Sequence, residues 1–237
     1  MRIHEIASAE DAAHQAAEWL RGEIAHAATH RRRCRIALSG GRTPWRMLHD
    51  LRRLHVHWRG LDVFQVDERI VAAGDALRNA RQIAELLIAP DALSPDRFYP
   101  MPVEREPLSA GLADYAELLG SHCGRPPVLD VVQLGLGADG HTASLLSGDP
   151  LLDDDAHDVA VSDVYQGTRR MTLTLRVLNG ARHRLWLVTG ADKAAALRAL
   201  WDGDASLPAG RVRREAALVY ADAAAAAALP AALRTPH

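Results

Sequence analysis

The sequence predicts an α/β domain whose mainly parallel sheet is covered by helices on both faces. Three observations predict it. Short, nearly continuous apolar runs recur at 35–38, 61–66, 129–134 and 184–188, the pattern of strands buried on both sides. Three of these runs end in glycine turns that lead into a helical period, the strand–turn–helix grammar of parallel sheets. At 237 residues the chain matches one such domain, with two small lobes the weaker alternative, and folding hides roughly 70–75% of its surface without staples. Residues 1–237 are therefore read as a single domain.

The elements follow in order. Residues 8–30 place Ala12, Ala16, Trp19, Leu20 and Ile24 at helical spacing behind Ser8, a natural N-cap. After the strand at 35–38, Ser39-Gly40-Gly41-Arg42-Thr43-Pro44 turns into a helix, with Thr43 expected as N-cap and Pro44 at the first helical position. The strand at 61–66 ends on Asp67-Glu68-Arg69. The stretch 90–107 carries five prolines and reads as loop. The strand at 129–134 leads into Gly135-Leu136-Gly137-Ala138-Asp139-Gly140 and a short expected helix from His141 to about Leu146. The alternation at 171–175 predicts a further strand, at an edge. The strand ending at Val188 passes through Thr189-Gly190 to Lys193 and a helix running to Trp201. Six alanines at 223–228 predict a closing helix.

Composition narrows the function classes. A formal charge of −2 argues against coating nucleic acid, and the basic run Arg31-Arg32-Arg33-Cys34-Arg35 suits the carboxyl end of a helix. Two cysteines, Cys34 and Cys123, cannot build a disulfide framework, and the N-terminus has no apolar signal segment. No run is long and apolar enough for a membrane helix, so a cytoplasmic protein without membrane or nucleic-acid partners is expected. His49, His55 and His57 complete no recognised ligand spacing, so no metal is expected.

Ligands of parallel sheets bind beyond the carboxyl ends of the strands, and four candidate clusters fall on that rim. The loop Ser39-Gly40-Gly41-Arg42-Thr43 is either a phosphate cradle or a tight turn; it lacks the Lys-Ser/Thr ending of a nucleoside-triphosphate loop. Asp67-Glu68-Arg69 is either a surface ion-pair cluster or a site in which Arg69 meets a carboxylate or developing oxyanion. The run 135–140 matches G-x-G-x-x-G literally, but its short helix and missing acidic residue argue against a dinucleotide. Asp139 and His141 can form an oriented imidazole for water activation, or an ordinary surface pair. All but one of the 28 cationic residues are arginines; the exception is Lys193. A lysine in the first turn of a helix costs up to about 1 kcal/mol, which suggests a dedicated anion contact, a plain surface lysine being the alternative. Arg169-Arg170 can add a second clamp. No Gly-x-Ser-x-Gly elbow is present.

Taken together with Asn79, the run Asp139-Gly140-His141-Thr142-Ala143-Ser144-Leu145, Arg170-Met171-Thr172-Leu173-Thr174 and Thr189-Gly190-Ala191-Asp192-Lys193, these motifs resemble the 6-phosphogluconolactonase family, related to the glucosamine-6-phosphate deaminases. The resemblance spans nearly the whole chain. It implies a three-layer α/β/α sandwich of the deaminase/lactonase type with a Rossmann-like sheet. It also implies hydrolysis of 6-phosphogluconolactone in the pentose phosphate pathway without a cofactor; a monomer or weak dimer is expected. The implied roles are phosphate binding by the loop Ser39, Gly40, Gly41, Arg42 and Thr43 with Arg170 and Lys193, substrate contact by Asp67, base catalysis by His141, and Asp139 and Arg69 at the reacting end. Two departures stand out: Arg78 and Ala80 flank Asn79 where the family shows Ser and Tyr, and Arg176 stands where it commonly has Pro. A deaminase would want a glutamate after the histidine, and 142–148 contains no carboxylate. A non-catalytic sugar-phosphate sensor, the rival of another class, would lack the base.

Overall fold

The computed structural model describes residues 1–231. In chain order the elements are β1 (Arg2–Ile6), α1 (Ala9–Arg31), β2 (Cys34–Leu38), α2 (Arg42–Arg53), β3 (Leu61–Gln65), β4 (Asp67–Arg69), α3 (Asn79–Leu87), β5 (Phe98–Tyr99) and α4 (Leu108–Cys123). They continue as β6 (Val131–Leu134), β7 (Val159–Val161), β8 (Arg170–Leu173), α5 (Leu175–Gly180), β9 (His183–Val188), α6 (Ala194–Asp202) and β10 (Ala217–Asp222). Seven strands form one sheet in the order β1-β10-β9-β6-β2-β3-β5, and every pair in it is parallel.

Alternation along these strands divides two cores. Cys34, Ile36 and Leu38 of β2 and Leu185 and Leu187 of β9 pack with α1, α2 and α3 on one face. Ala37, Trp186 and Val188 point to the other face, against α4, α5, α6 and a small second sheet. Successive side chains thus lie on opposite sides, which is why these strands are largely apolar. The result is the expected α/β sandwich. Helix α1 has the anticipated start: Ser8 Oγ accepts from the Asp11 N–H at 3.1 Å, and Ala12, Ala16, Leu20, Ile24 and Ala27 make its buried stripe.

Five local expectations are corrected. The strand at 170–173 is not an edge: it is the middle of the antiparallel sheet β4-β8-β7, paired on both sides. The proline-rich stretch contains β5, which closes one edge of the large sheet beside β3. Helix α2 is capped by Gly41 at φ 119°, and Thr43 sits inside it with its hydroxyl 2.9 Å from that of Thr189. The six alanines make one 3₁₀ turn, Ala225–Ala228. Finally, no helix follows His141. Thr142 Oγ1 donates to the Gly135 carbonyl at 2.9 Å and Ser144 Oγ to Asp67 Oδ2 at 2.6 Å, so side chains take the loop away from helical pairing, and Ala143 adopts a positive φ of 52°.

Candidate active site

Strands β9, β6, β2 and β3 are consecutive neighbours in the sheet, and their carboxyl ends meet at a cleft of about 190 Å³. Its walls carry Ser39, Gly40, Asp67, Arg69, His141, Arg170 and Lys193 from the predicted set. Gly41, Arg42 and Thr43 do not reach it. They line an adjoining cleft of about 660 Å³, which shares Gly135, Leu136 and Lys193 with the first. Asp139 lies behind His141.

The cationic wall is built by the second sheet. Antiparallel pairing sets Arg69 directly opposite Arg170, an arrangement of like charges that costs stability unless something anionic lies between them. Arg170 is only 5% exposed, and its Nε has no hydrogen-bond partner among the described residues. Burial lowers its pKa; Asp67 counteracts this and Arg69 reinforces it. A guanidinium this buried, with an unused donor facing a cleft, can accept an anion. Lys193 completes the wall from the start of α6, with Asp192 3.1 Å from its Nζ. The Gly190 N–H that shapes this turn donates to Asp222 at 3.0 Å.

Arg69 is itself held. Its Nη1 donates to Asn79 Oδ1 and to the Leu77 carbonyl at 3.2 Å, while Asn79 Nδ2 donates to the Asp67 carbonyl at 3.0 Å. Beneath them, the fully buried Glu68 accepts from the backbone N–H groups of Arg69, Asn79 and Ala80 and from Gln65 Nε2. The charge triplet is therefore no surface cluster. Ser39 is anchored through Oγ to the Gln133 carbonyl at 2.9 Å.

On the facing wall, His141 Nδ1 lies 2.6 Å from Asp139 Oδ1. Because no helix begins at His141, its imidazole is oriented by this carboxylate and not by a helix dipole. Burial raises the Asp139 pKa, but the hydrogen bonds and charge of His141 outweigh it and hold the carboxyl below its usual range. An ionised Asp139 favours a proton on Nδ1, the tautomer in which a neutral imidazole presents Nε2 as an acceptor. Gly137 lets the pair pack this closely: a Cβ there would collide with His141 Nδ1 and Asp139 Oδ1. Gly137→Ala is expected to displace the pair and lower turnover by at least about tenfold with an unchanged unfolding midpoint, read by kinetics and thermal denaturation.

Asn79 and Ser144 were visible in the motif runs without a role, and their bonds to Arg69 and Asp67 supply one. Tyr165 carried no signal. It stands on the β7–β8 hairpin, its hydroxyl donates to Asp139 Oδ2 at 3.3 Å, and its ring packs edge-on to His141 with centroids 5.1 Å apart. Arranged in this way, the cleft can grip an anion with three cations and activate a water with an oriented imidazole.

Comparisons with known proteins bear on the family and the fold. Residues 7–220 match the family model of glucosamine-6-phosphate isomerases/6-phosphogluconolactonase. The chain is 33% identical to the 6-phosphogluconolactonase of Treponema pallidum over 182 residues, 73% of this chain and 75% of that one. It is 32% identical to that of Mycobacterium leprae over 225 residues, 89% and 91% of the two chains. Among solved structures, 6-phosphogluconolactonase from Trypanosoma brucei superposes with a TM-score of 0.85 at 26% identity, covering 97% of this chain and 98% of that one.

Proposed function

The chain belongs to the glucosamine-6-phosphate isomerase/6-phosphogluconolactonase family, and from that premise we propose that it hydrolyses 6-phospho-D-glucono-1,5-lactone to 6-phospho-D-gluconate in the oxidative pentose phosphate pathway. One observation carries the reading: an imidazole whose Nδ1 is held 2.6 Å from a carboxylate shares a cleft with Arg69, Arg170 and Lys193. A receptor alone would need the cations but not the oriented base.

In the proposed reaction, Arg170, Lys193 and the loop around Ser39 and Gly40 hold the phosphate. Water attacks the lactone carbonyl carbon as His141 Nε2 takes its proton, the charge on the imidazolium being balanced by Asp139. The carbonyl oxygen becomes an oxyanion, stabilised by Arg69 or by backbone N–H groups of the cleft. Collapse of this intermediate breaks the bond to the ring oxygen, which takes the proton back from the imidazolium. The product carboxylic acid then ionises, so each turnover releases one proton. Gly41, Arg42 and Thr43, which line the adjoining cleft, act on the phosphate through the position of the loop.

Proton release during enzymatic production of fresh lactone tests the activity. The expected result is release faster than spontaneous ring opening in proportion to added protein; a rate equal to the spontaneous one refutes the reading. Lys193→Ala is expected to raise KM by about 10–100-fold, the worth of a charge-assisted contact, with little change in kcat. An unchanged KM removes Lys193 from phosphate anchoring.

A further inference from the structure

We propose that Tyr165 is a positioning residue that sets the orientation of the Asp139–His141 pair, an inference that rests on the reading of His141 as the base. The two Asp139 oxygens divide their work: Oδ1 meets His141 Nδ1 at 2.6 Å, and Oδ2 accepts from the Tyr165 hydroxyl at 3.3 Å. The carboxylate is thus held at both ends. The same tyrosine ring packs edge-on to the imidazole at 5.1 Å and 61°, which limits rotation of the histidine about its own axis. From behind, the Arg170 guanidinium lies over that ring, 5.1 Å from its centroid, a cation–π contact.

The hairpin that presents Tyr165 is stiff. Tyr165 and Thr168 exchange backbone hydrogen bonds at 3.0 and 3.3 Å across Gln166 and Gly167, at φ 50° and 81°. This is the two-residue type I′ turn that matches strand twist. It fixes the tyrosine relative to Arg170 on the adjoining β8. Burial, followed by the Asp139 charge, raises the Tyr165 pKa, so the phenol keeps its proton and stays a donor. Tyr165 therefore touches both Arg170 and the Asp139–His141 pair.

The sign of the expected effect follows from the charges present. His141 is in contact with Asp139 and Tyr165, and shares its cleft with Asp67, Arg69, Arg170 and Lys193. Removing the phenol hydroxyl changes only one of these. Asp139 loses a donor and becomes more basic, so it holds imidazolium more tightly and a higher pH is needed to free the base.

Tyr165→Phe keeps the ring and deletes the bond. Its kcat is expected to fall about 3–10-fold with KM within about twofold of the parent. The acid limb of kcat/KM is expected to move up by about 0.3–1 pH unit. Tyr165→Ala, which also loses the edge contact, is expected to fall further, with the phenylalanine variant restoring part of the difference. An unmoved acid limb and parental kcat in Tyr165→Phe overturn the proposal, as does an effect confined to KM. His141→Ala measured alongside separates the two readings. If it retains parental turnover, the base assignment fails; if it is inactive while Tyr165→Phe matches the parent, only the positioning role fails.

Discussion

His141→Ala is expected to lower kcat by about 10²–10⁴-fold, the usual worth of general-base help, while KM stays within a few-fold of the parent. The argument is geometric. The imidazole lines the cleft, and the groups proposed to hold the phosphate are other side chains, so removing the ring is expected to leave substrate binding largely in place. The pH profile supplies a second readout. Asp139 is held below the usual carboxylate range and stays ionised near neutrality, so removing His141 is expected to change the acid limb of the profile. In the variant that limb disappears, and the residual rate rises with hydroxide concentration. Steady-state kinetics across pH check both points, and a variant with parental kcat would remove His141 from proton transfer.

Much of this arrangement was legible because its signals are local. Ser8 caps α1 through a bond to the residue three places on, and the apolar runs of β2, β3, β6 and β9 are short and bounded by glycine or charge. Their carboxyl ends meet at one cleft because these strands are adjacent and parallel. The errors share a physical cause, namely partners distant in sequence. The run from His141 reads as a helix until Ser144 finds Asp67, 77 positions away. The strand at β8 reads as an edge because its two neighbours, β4 and β7, are too short to announce themselves. Strand β10 lies between alanine-rich segments that mimic a helix. Tyr165 meets Asp139 and His141 on the loop after β6, far from it in sequence, and nothing in its immediate sequence distinguishes it from the other tyrosines. Arg78, a departure from the family pattern, lies 3.3 Å from buried Glu68 and donates to the Val71 carbonyl at 3.0 Å. It ties down the loop before α3.

That buried glutamate is the basis of the second large effect: Glu68→Ala is expected to cost about 3–5 kcal/mol of stability. Helix α3 has no cap of its own, since Arg78 at its N-cap position makes no side-chain capping bond. Glu68 on β4 does the capping across space. Its Oε1 accepts from the Asn79 N–H at 2.9 Å and Oε2 from the Ala80 N–H at 2.7 Å, two of the donors that open every helix. The same carboxylate receives the Arg69 N–H at 2.8 Å and Gln65 Nε2 at 2.9 Å. Truncation therefore strands four donors and leaves the buried Arg78 charge without its nearest counter-ion. Each loss alone is worth about 1–3 kcal/mol, and they are not additive because one carboxylate serves them all. Glu68→Gln tests the charge separately: its amide turns two hydrogens toward groups that are already donors, so it is expected to lie close to the alanine variant despite its matching shape. Urea unfolding should show a lower midpoint at an unchanged slope, and a stability loss under about 1 kcal/mol would refute the capping role. Because Arg69 and Asn79 hang from this carboxylate, whatever fraction of either variant remains folded is also expected to show weakened turnover.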